Sequence, residues 1–353
     1  MSLSRILQED FEYITANYDF SVLKGKSVFI TGSTGLLGSQ LLKYMWYLND
    51  SLNYGIRLYA LARKPEKVKA VFSDISQNAV TFVYGDVLNL PPCDFDIDYI
   101  IHGASITSSR DFIDKAVETI DIAVNGTLNM LRLAQEKQVK SMVYLSSMEV
   151  FGTTDGNKAC REENLGYIDI MSPRSSYSES KRLCECLCAS YAAEYGVDVK
   201  IARLTQTFGY GIDYSDSRIA AYFARSVIEK QDIILKTRGD TKRPLLYARD
   251  AASAILTVLV KGNAGEAYTA ANPNTFTTVR ETAEIIVKNI ACNNIKLRYD
   301  IKEVPKEYAQ NVNLNLNLNV DKLRSLGWKP SVGLEEAYRK LIEGMREYAP
   351  RSL

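Results

Sequence analysis

Histidine is almost missing from this chain, because His102 is the only one among 353 residues. A metal site built on several histidines is therefore excluded. A serine–histidine nucleophile would have to depend on this one residue. His102 follows an apolar segment typical of a buried strand, so we expect a packed side chain near a cofactor rather than a catalytic base.

Long hydrophobic runs and a charge bias are also lacking. No stretch of eighteen or more apolar residues is present, so no membrane span is expected. The 43 basic and 42 acidic residues leave a formal net charge of +1. This balance does not favour nucleic acid or an anionic membrane as a partner. The first residues show no basic segment followed by an apolar one, so we expect no secretory signal.

The six cysteines lack the spacing of a disulfide framework. Such usage is typical of a reducing compartment, and we expect a cytoplasmic protein. Three of them, Cys184, Cys186 and Cys188, fall on one predicted helix. The first and third share a face and the second points elsewhere, so they cannot converge on a metal ion. We predict packing roles for them and no metal site.

The clearest positive signal is the segment Thr31-Gly-Ser-Thr-Gly-Leu-Leu-Gly38, between a predicted strand at 27–31 and a predicted helix at 36–47. One glycine allows a tight turn, one lets the backbone approach a pyrophosphate, and one lets the helix pack against the strand. The free N–H groups at the helix N-terminus favour phosphate. The pattern predicts a dinucleotide site. The expected contacts are Gly32, Thr34, Gly35, Leu36, Leu37 and Gly38.

Strand patterns and helix patterns alternate along the first two thirds of the chain. Strands are predicted at 27–31, 56–63, 80–84, 98–101, 141–147 and 199–204, with a long helix at 116–137. Alternation of this kind predicts an α/β fold with a Rossmann-like, doubly wound parallel sheet. Ligands of such sheets bind beyond the carboxyl ends of the strands.

Two strand ends carry further cofactor predictions. Arg63 ends the second predicted strand. At this position of a dinucleotide-binding fold, an acidic residue would bind a ribose 2′-hydroxyl and an arginine can bind a 2′-phosphate. The arginine favours NADP, while NAD beside a solvated basic turn remains the alternative. After the fourth strand, Gly103, Ala104 and Ser105 are small enough to let a nicotinamide ribose lie close to the backbone.

A catalytic group is predicted where the fifth strand ends and the next helix begins. Tyr177 and Lys181 are four residues apart and share a helical face. An ammonium beside a phenol lowers the pKa of the phenol, because it favours the phenolate. Ser147, at the strand end, could bond the same substrate oxygen. Together they can take a proton from an alcohol while its carbon gives hydride to nicotinamide. A tyrosine–lysine pair alone could equally be a surface pair.

These motifs resemble the extended branch of the short-chain dehydrogenase/reductase superfamily, among the nucleotide-sugar epimerases, dehydratases and decarboxylases. The resemblance covers about residues 26–347. Besides the segments above, it involves Gly85-Asp-Val87, Ser146-Ser-Met-Glu-Val-Phe-Gly152, Thr207-Phe-Gly209, Arg243 through Asp250, and Leu326-Gly-Trp-Lys-Pro330.

The resemblance implies roles for individual residues. Ser147, Tyr177 and Lys181 would be the catalytic trio, and Tyr177 and Lys181 would also contact the cofactor. Asp86 and Val87 would flank the adenine. Arg243 would clamp a diphosphate, with Arg218 as a weaker candidate, unless these arginines belong to a solvated basic loop. The resemblance also implies a nucleotide-diphosphate sugar as substrate and a homodimer.

Three positions depart from the family pattern. Ala123 stands where asparagine is usual, which puts one cofactor-side hydrogen bond in doubt. Gln206 replaces an asparagine, so a sugar or phosphate contact is expected to shift. Met148 and Glu149 stand where 4,6-dehydratases have an acid and a base.

The third departure bears on the reaction. Eliminating the C6 hydroxyl of a 4-keto sugar needs an acid at the leaving oxygen, and Met148 cannot donate a proton. Loss of a C5 carboxylate needs no such acid, and C4 epimerisation needs neither residue. We therefore rank epimerase or decarboxylase above dehydratase. Glu149 is either a second proton-transfer group or a capping or surface carboxylate.

Residues 210–353 are expected to form mainly a smaller α/β substrate domain. We place a helical extension at 1–24 and the cofactor domain at 25–209, with 245–262 returning to it. The last part carries a capping box at Thr278 and Glu281, an alternating strand at 311–320 and a final helix at 334–348. Two other functions stay open: an NADPH-dependent sugar-nucleotide reductase, and a catalytically silent nucleotide-sensing regulator.

Overall fold

The computed structural model describes residues 3–156, 158–301 and 315–347. Thirteen strands are present in these ranges: β1 Ser27–Thr31, β2 Arg57–Ala62, β3 Val80–Tyr84, β4 Tyr99–His102, β5 Ser141–Ser147, β6 Val199–Leu204, β7 Gln206–Phe208, β8 Ile233–Leu235, β9 Lys242–Arg243, β10 Leu245–Tyr247, β11 Ala267–Ala270, β12 Thr277–Thr278 and β13 Leu297–Tyr299.

Helices alternate with these strands. The described α-helices are α1 Arg5–Asn17, α2 Leu36–Leu52, α3 Pro65–Val71, α4 Asp111–Asp114, α5 Ala116–Glu136, α6 Ser176–Tyr195, α7 Ile219–Ile228, α8 Ala248–Lys261, α9 Val279–Ile285, α10 Asp321–Ser325 and α11 Leu334–Glu347. A π-turn at Ile286–Ile290 extends α9, and both bonds of the predicted capping box are formed. No described helix has the length and apolar character that a membrane span requires.

Seven strands form the central sheet in the order β11-β6-β5-β4-β1-β2-β3. Every pairing in this sheet is parallel. The order reverses between β1 and β4, and a crevice opens at such a point beyond the strand ends. The predicted doubly wound α/β sheet is therefore confirmed, and its switch point lies beside the glycine-rich turn that follows β1.

Alternate residues of the buried strands pack into two different cores. Val28 and Ile30 of β1 join the apolar cluster beneath α2 and α8, whereas Phe29 faces the cluster beneath α5 and α6. Both faces are covered, which explains why the strands read as continuous apolar runs. The buried Cys184 and Cys188 pack in the second cluster, while Cys186 is exposed. The predicted packing is therefore confirmed for Cys184 and Cys188 and is wrong for Cys186.

A third apolar cluster joins α7, the α9 segment and α11. The predicted strand at 311–320 is only partly matched, and residues 311–314 lie outside the described residues. From Leu316 to Val320 burial alternates as expected. However, Asn315 and Leu318 make isolated bridges, to Lys242 and Cys160, instead of a ladder. An alternating pattern fixes which side chains are buried but not the partner strand.

The N-terminal helix α1 packs on the apolar cluster beneath α2 and α8, through Ile6, Leu7, Phe11 and Ile14. Its Asp10 is 2% exposed and receives bonds from Tyr247, Arg249 and Lys340. Burial raises the pKa of the Asp10 carboxyl despite these partners. The helix itself was predicted, while the domain boundaries remain a prediction.

Candidate active site

One cavity of about 720 Å³ opens at the carboxyl ends of β1–β6. This volume is typical of sites for small molecules and cofactors. All of the predicted site residues line it: Gly32, Thr34, Gly35, Leu36, Leu37, Gly38, Arg63, Asp86, Val87, Gly103, Ala104, Ser105, Ser147, Glu149, Tyr177, Lys181, Gln206, Arg218 and Arg243. The structure brings them together, while their individual roles remain predictions.

The glycine-rich turn is packed tightly against the neighbouring backbone. Gly32 has φ +69°, and a Cβ there would lie 2.6 Å from the carbonyl of Gly103. A Cβ on Gly38 would lie 2.3 Å from the Gly32 oxygen. Only glycine fits these two positions, and the N-terminus of α2 therefore lies open to the cavity. This narrow backbone cradle fits the pyrophosphate of a dinucleotide.

The end of the cavity that is predicted to hold the adenosine carries exposed cations. The guanidinium of Arg63 lies 3.8 Å from Asp86, which stands two residues beyond β3, and the Arg63 side chain is 73% exposed. Lys67 lines the same end. An exposed guanidinium at this distance remains available to a 2′-phosphate, since exposed ion pairs are weak.

His102 is packed, as predicted. It is 1% exposed; its Nδ1 lies 2.7 Å from the Thr31 hydroxyl and its Nε2 lies 3.2 Å from the Thr127 hydroxyl. Burial, with a smaller effect of the Lys181 charge, lowers the pKa of His102 to about 3. The imidazole is therefore neutral near pH 7. It links β1 and β4 to α5 behind the cofactor end.

Tyr177 and Lys181 lie on the buried face of α6, as their spacing predicts. The predicted lowering of the phenol pKa is wrong for this structure. Burial raises the pKa of Tyr177, the charge of Glu149 adds to the rise, and the Ser147 side chain opposes it. The Lys181 ammonium instead donates to the Leu145 carbonyl at 2.7 Å. Desolvation outweighs the ion pair that spacing alone suggested.

Burial also lowers the pKa of Lys181, to about 8. Its Nζ lies 5.7 Å from the centre of the Tyr177 ring. The ring of Phe112 stacks on Tyr177 with centroids 4.2 Å apart and planes 8° from parallel. The phenol is thus fixed between the strand end and α4 and shielded from water, which explains the direction of its pKa.

Glu149 is neither a helix cap nor a surface carboxylate. Arg174 donates from both terminal nitrogens to its two oxygens, at 3.0 and 2.9 Å, and Ser178 donates to Oε2 at 3.0 Å. Sequence reasoning missed Arg174 and Phe112. The one signal available in the sequence was the position of Arg174, three residues before Tyr177 and just before α6 begins.

Met148 lies beside these groups and lines the cavity. It is 7% exposed, and its sulfur accepts a bond from the Thr205 hydroxyl at 3.2 Å. The thioether carries no proton to give. The place next to Glu149 is therefore filled by a group without acid chemistry.

The sugar end contains three residues predicted to contact substrate. Gln206 is half-buried in β7. Arg218 forms a bidentate contact with Asp216, the shorter bond being 2.6 Å, so its charge is already balanced. Arg243 is half-buried, and no carboxylate hydrogen-bonds its guanidinium within 3–156, 158–301 and 315–347. Burial lowers the pKa of Arg243, but a guanidinium keeps its charge.

Residues 28–272 match the model of the NAD dependent epimerase/dehydratase family, which is more than half of the chain. The chain belongs to the NAD dependent epimerase/dehydratase family. Family members carry out the epimerisation, dehydration or decarboxylation of nucleotide sugars with a nicotinamide cofactor.

Individual proteins represent each of these reactions. UDP-glucuronic acid decarboxylase 1 of Danio rerio is 27% identical over 319 residues, 90% of this chain and 72% of the relative. A UDP-N-acetylglucosamine 4-epimerase from Methanobrevibacter ruminantium M1 superposes with TM-score 0.77 at 17% identity, covering 92% and 99% of the two chains. A dTDP-glucose 4,6-dehydratase from Bacillus anthracis, in complex with NAD, gives 0.73 at 20% identity, covering 91% and 97%. These two structures show that the fold is shared.

Proposed function

We propose that this protein is an NAD(P)-dependent enzyme that decarboxylates a nucleotide-diphosphate uronic sugar through a 4-keto intermediate. One observation carries the proposal. Ser147, Tyr177 and Glu149 share the cavity lining with Met148, beside the glycine-rich turn, and Arg174 binds Glu149 from outside that lining. The wall therefore offers alcohol oxidation and a second proton-transfer group, without an acid for a leaving hydroxyl.

Gly32 and Gly38 shape a cradle that would hold the pyrophosphate of the cofactor, and Gly103, Ala104 and Ser105 would lie beside its nicotinamide ribose, between the cradle and Tyr177. When bound, nicotinamide supplies a hydride acceptor and donor. Asp86 and Val87 would flank the adenine, and Lys181 would bond the ribose next to nicotinamide. We propose NADP as the preferred form because Arg63 and Lys67 line the adenosine end, where an acidic residue would favour NAD.

The chain supplies the proton transfers. Tyr177 acts as the phenolate, which the positive charges of Lys181 and of a bound oxidised nicotinamide would favour against the burial that raises its pKa. It takes the proton from the sugar 4-hydroxyl, and Ser147 positions the same oxygen. In the 4-keto sugar, the C5–carboxylate bond breaks and its electron pair passes into a C4 enolate as carbon dioxide leaves. Glu149 then carries a proton from solvent to C5, and Tyr177 returns a proton to the 4-oxygen.

Charge favours an acidic sugar at this end. Lys181 and Arg243 bring two positive charges to the cavity wall, while the negative charge of Glu149 is balanced by Arg174, which lies outside the lining. Arg218 is already balanced by Asp216. The surplus suits a diphosphate, which Arg243 would clamp, together with a sugar carboxylate.

C4 epimerisation is the second candidate. The structural similarity to the 4-epimerase covers nearly all of both chains, and the reaction needs only Tyr177, Ser147 and room for the keto sugar to turn. Such an enzyme would not require Glu149. The effect of Glu149→Gln therefore separates the two candidates.

A homodimer is proposed as the working state. Val117 and Ile120 on α5 and Leu183 on α6 are exposed large apolar side chains, 80%, 44% and 47% respectively. The two helices lie side by side on one face of the sheet. A second copy packed there would bury this apolar surface.

The experiment is incubation with UDP-, GDP-, CDP- and dTDP-sugars, including uronic forms, with NAD, NADP or NADPH in separate reactions, and mass analysis of the products. Loss of carbon dioxide from a uronic form supports the proposal. An unchanged mass with altered stereochemistry indicates epimerisation, and loss of water indicates dehydration. Consumption of stoichiometric NADPH would support a reductase. If no substrate is converted although sugar nucleotides bind, a sensing role is favoured.

A further inference from the structure

We propose that Arg174 is a positioning residue that orients the carboxylate of Glu149 for the second proton transfer. The inference rests on the proposed function, because it assigns a step in that reaction. Arg174 acts through Glu149, and no contact with substrate is assigned to it. The observation behind it is that Glu149, which Arg174 binds through both oxygens, shares the cavity lining with Tyr177 and Ser147.

The contact fixes the plane of the carboxylate. Two terminal nitrogens of one planar guanidinium meet both oxygens of Glu149, at 3.0 and 2.9 Å. A fork of this kind sets the rotation of the carboxylate as well as its distance. A lysine would offer a point charge without that constraint. Ser178, one residue after Tyr177, donates a third hydrogen bond to the carboxylate, at Oε2.

The guanidinium is itself held by packing. Arg174 is 6% exposed, and its guanidinium lies 4.9 Å from the ring centre of Phe112. The same ring also stacks in parallel on Tyr177. In addition, the Ser176 hydroxyl donates to the Phe112 carbonyl at 2.7 Å. The same short helix α4 thus supports both the phenol and the arginine that holds the carboxylate.

Four groups surround the Glu149 carboxylate. Arg174 and Ser178 donate hydrogen bonds, while Tyr177 and Arg243 interact with its charge at longer range. Only Arg174 contacts both oxygens within the described part of the chain. Without it, Ser178 would hold one oxygen and leave the other free to rotate.

The test combines Arg174→Gln and Glu149→Gln in a double-mutant cycle with two readouts. In thermal unfolding without ligands, Arg174→Gln lowers Tm by a few degrees, and most of that loss disappears in the Glu149→Gln background. In turnover, Arg174→Gln lowers kcat about 30-fold with KM within about threefold, because orientation serves the reacting state rather than binding. Oxidation of the sugar alcohol, measured as the absorbance of reduced nicotinamide at 340 nm, is expected to continue in this variant.

In the Glu149→Gln background, Arg174→Gln is expected to lower kcat by less than about a further threefold, because the partner of Arg174 is already lost. Arg174→Lys keeps the charge and is expected to recover only part of kcat. Ser178→Ala gives a smaller loss of the same kind. Arg182→Gln is the matched control, since Arg182 donates to the carbonyls of Val150 and Gly166 and lies outside the cavity lining.

The inference is overturned by equal costs of Arg174→Gln with and without Glu149, or by wild-type kcat in Arg174→Gln. A loss of the 340 nm step together with turnover would make Arg174 a general structural residue and also contradicts it. If the wild-type protein converts no sugar nucleotide, the proposed function fails, whereas the unfolding cycle still decides whether the pair exists.

Discussion

The two ends of the cleft are built from different parts of the chain. At the cofactor end the walls are backbone: a turn in which a Cβ on Gly32 or Gly38 would lie within 2.6 Å of other main-chain atoms. At the other end, where we propose that the sugar binds, the walls are side chains such as Glu149, which Arg174 and Ser178 hold from outside the lining. Backbone fixes a binding shape shared by many proteins, whereas side-chain contacts can change the reaction without changing the fold.

The largest effect is expected where the two ends meet, at Tyr177. Tyr177→Phe removes the group that takes the alcohol proton, so kcat is expected to fall about a thousandfold, or about 4 kcal/mol. The ring and its stack on Phe112 remain, so cofactor affinity should stay within about twofold, because the cradle is untouched. Product formation and cofactor fluorescence titration measure the two effects. More than a tenth of the wild-type kcat would show that the phenol is not the base.

The backbone end is tested by Gly32→Ala. The added Cβ would meet the Gly103 carbonyl at 2.6 Å, at φ +69°. We expect cofactor affinity to fall about a hundredfold, or about 3 kcal/mol, because the turn must open. Gly333→Ala is the control, since a Cβ there meets nothing within 4 Å. Unchanged affinity in Gly32→Ala would mean that the cradle is not where the cofactor binds.

The buried His102, beside the cofactor end, tests how the stability of the fold depends on pH. Its pKa is lowered from 6.5 to about 3, so the unfolded chain binds a proton first as pH falls. Its contribution to stability is complete above pH 6.5 and declines towards pH 3, by about 1.4 kcal/mol per pH unit.

From pH 6.5 to 4.5 this amounts to about 2–3 kcal/mol. His102→Asn is less stable at pH 7 but should lose less on acidification. Urea midpoints at both pH values measure the difference. An equally steep decline in the variant would place the acid sensitivity elsewhere.

The smallest effect is expected at the exposed Arg63. Arg63→Ala removes one fork-shaped phosphate contact at the adenosine end, so the ratio of NADP to NAD affinity should fall about tenfold, or about 1.4 kcal/mol. Lys64→Ala is a neighbouring control, because Lys64 is outside the cavity lining. Titration with both cofactors measures the ratio. A ratio that does not change would leave the preference to other contacts.

The same contrast explains what could be predicted from the sequence. Glycine spacing and strand alternation are local, so the turn after β1 and the doubly wound parallel sheet followed from them. The Arg174–Glu149 contact joins residues 25 apart through a loop, which no spacing rule shows. The direction of the Tyr177 pKa was missed because burial by Phe112 depends on how α4 packs.

The most direct test uses a sugar nucleotide carrying deuterium at C4, with enzyme and cofactor both at far lower concentration than substrate. The account predicts many turnovers per cofactor and product that keeps its deuterium at C4, because Tyr177 returns a proton only to the oxygen. Product with hydrogen at C4, or a reaction that stops after one turnover per cofactor, would contradict it.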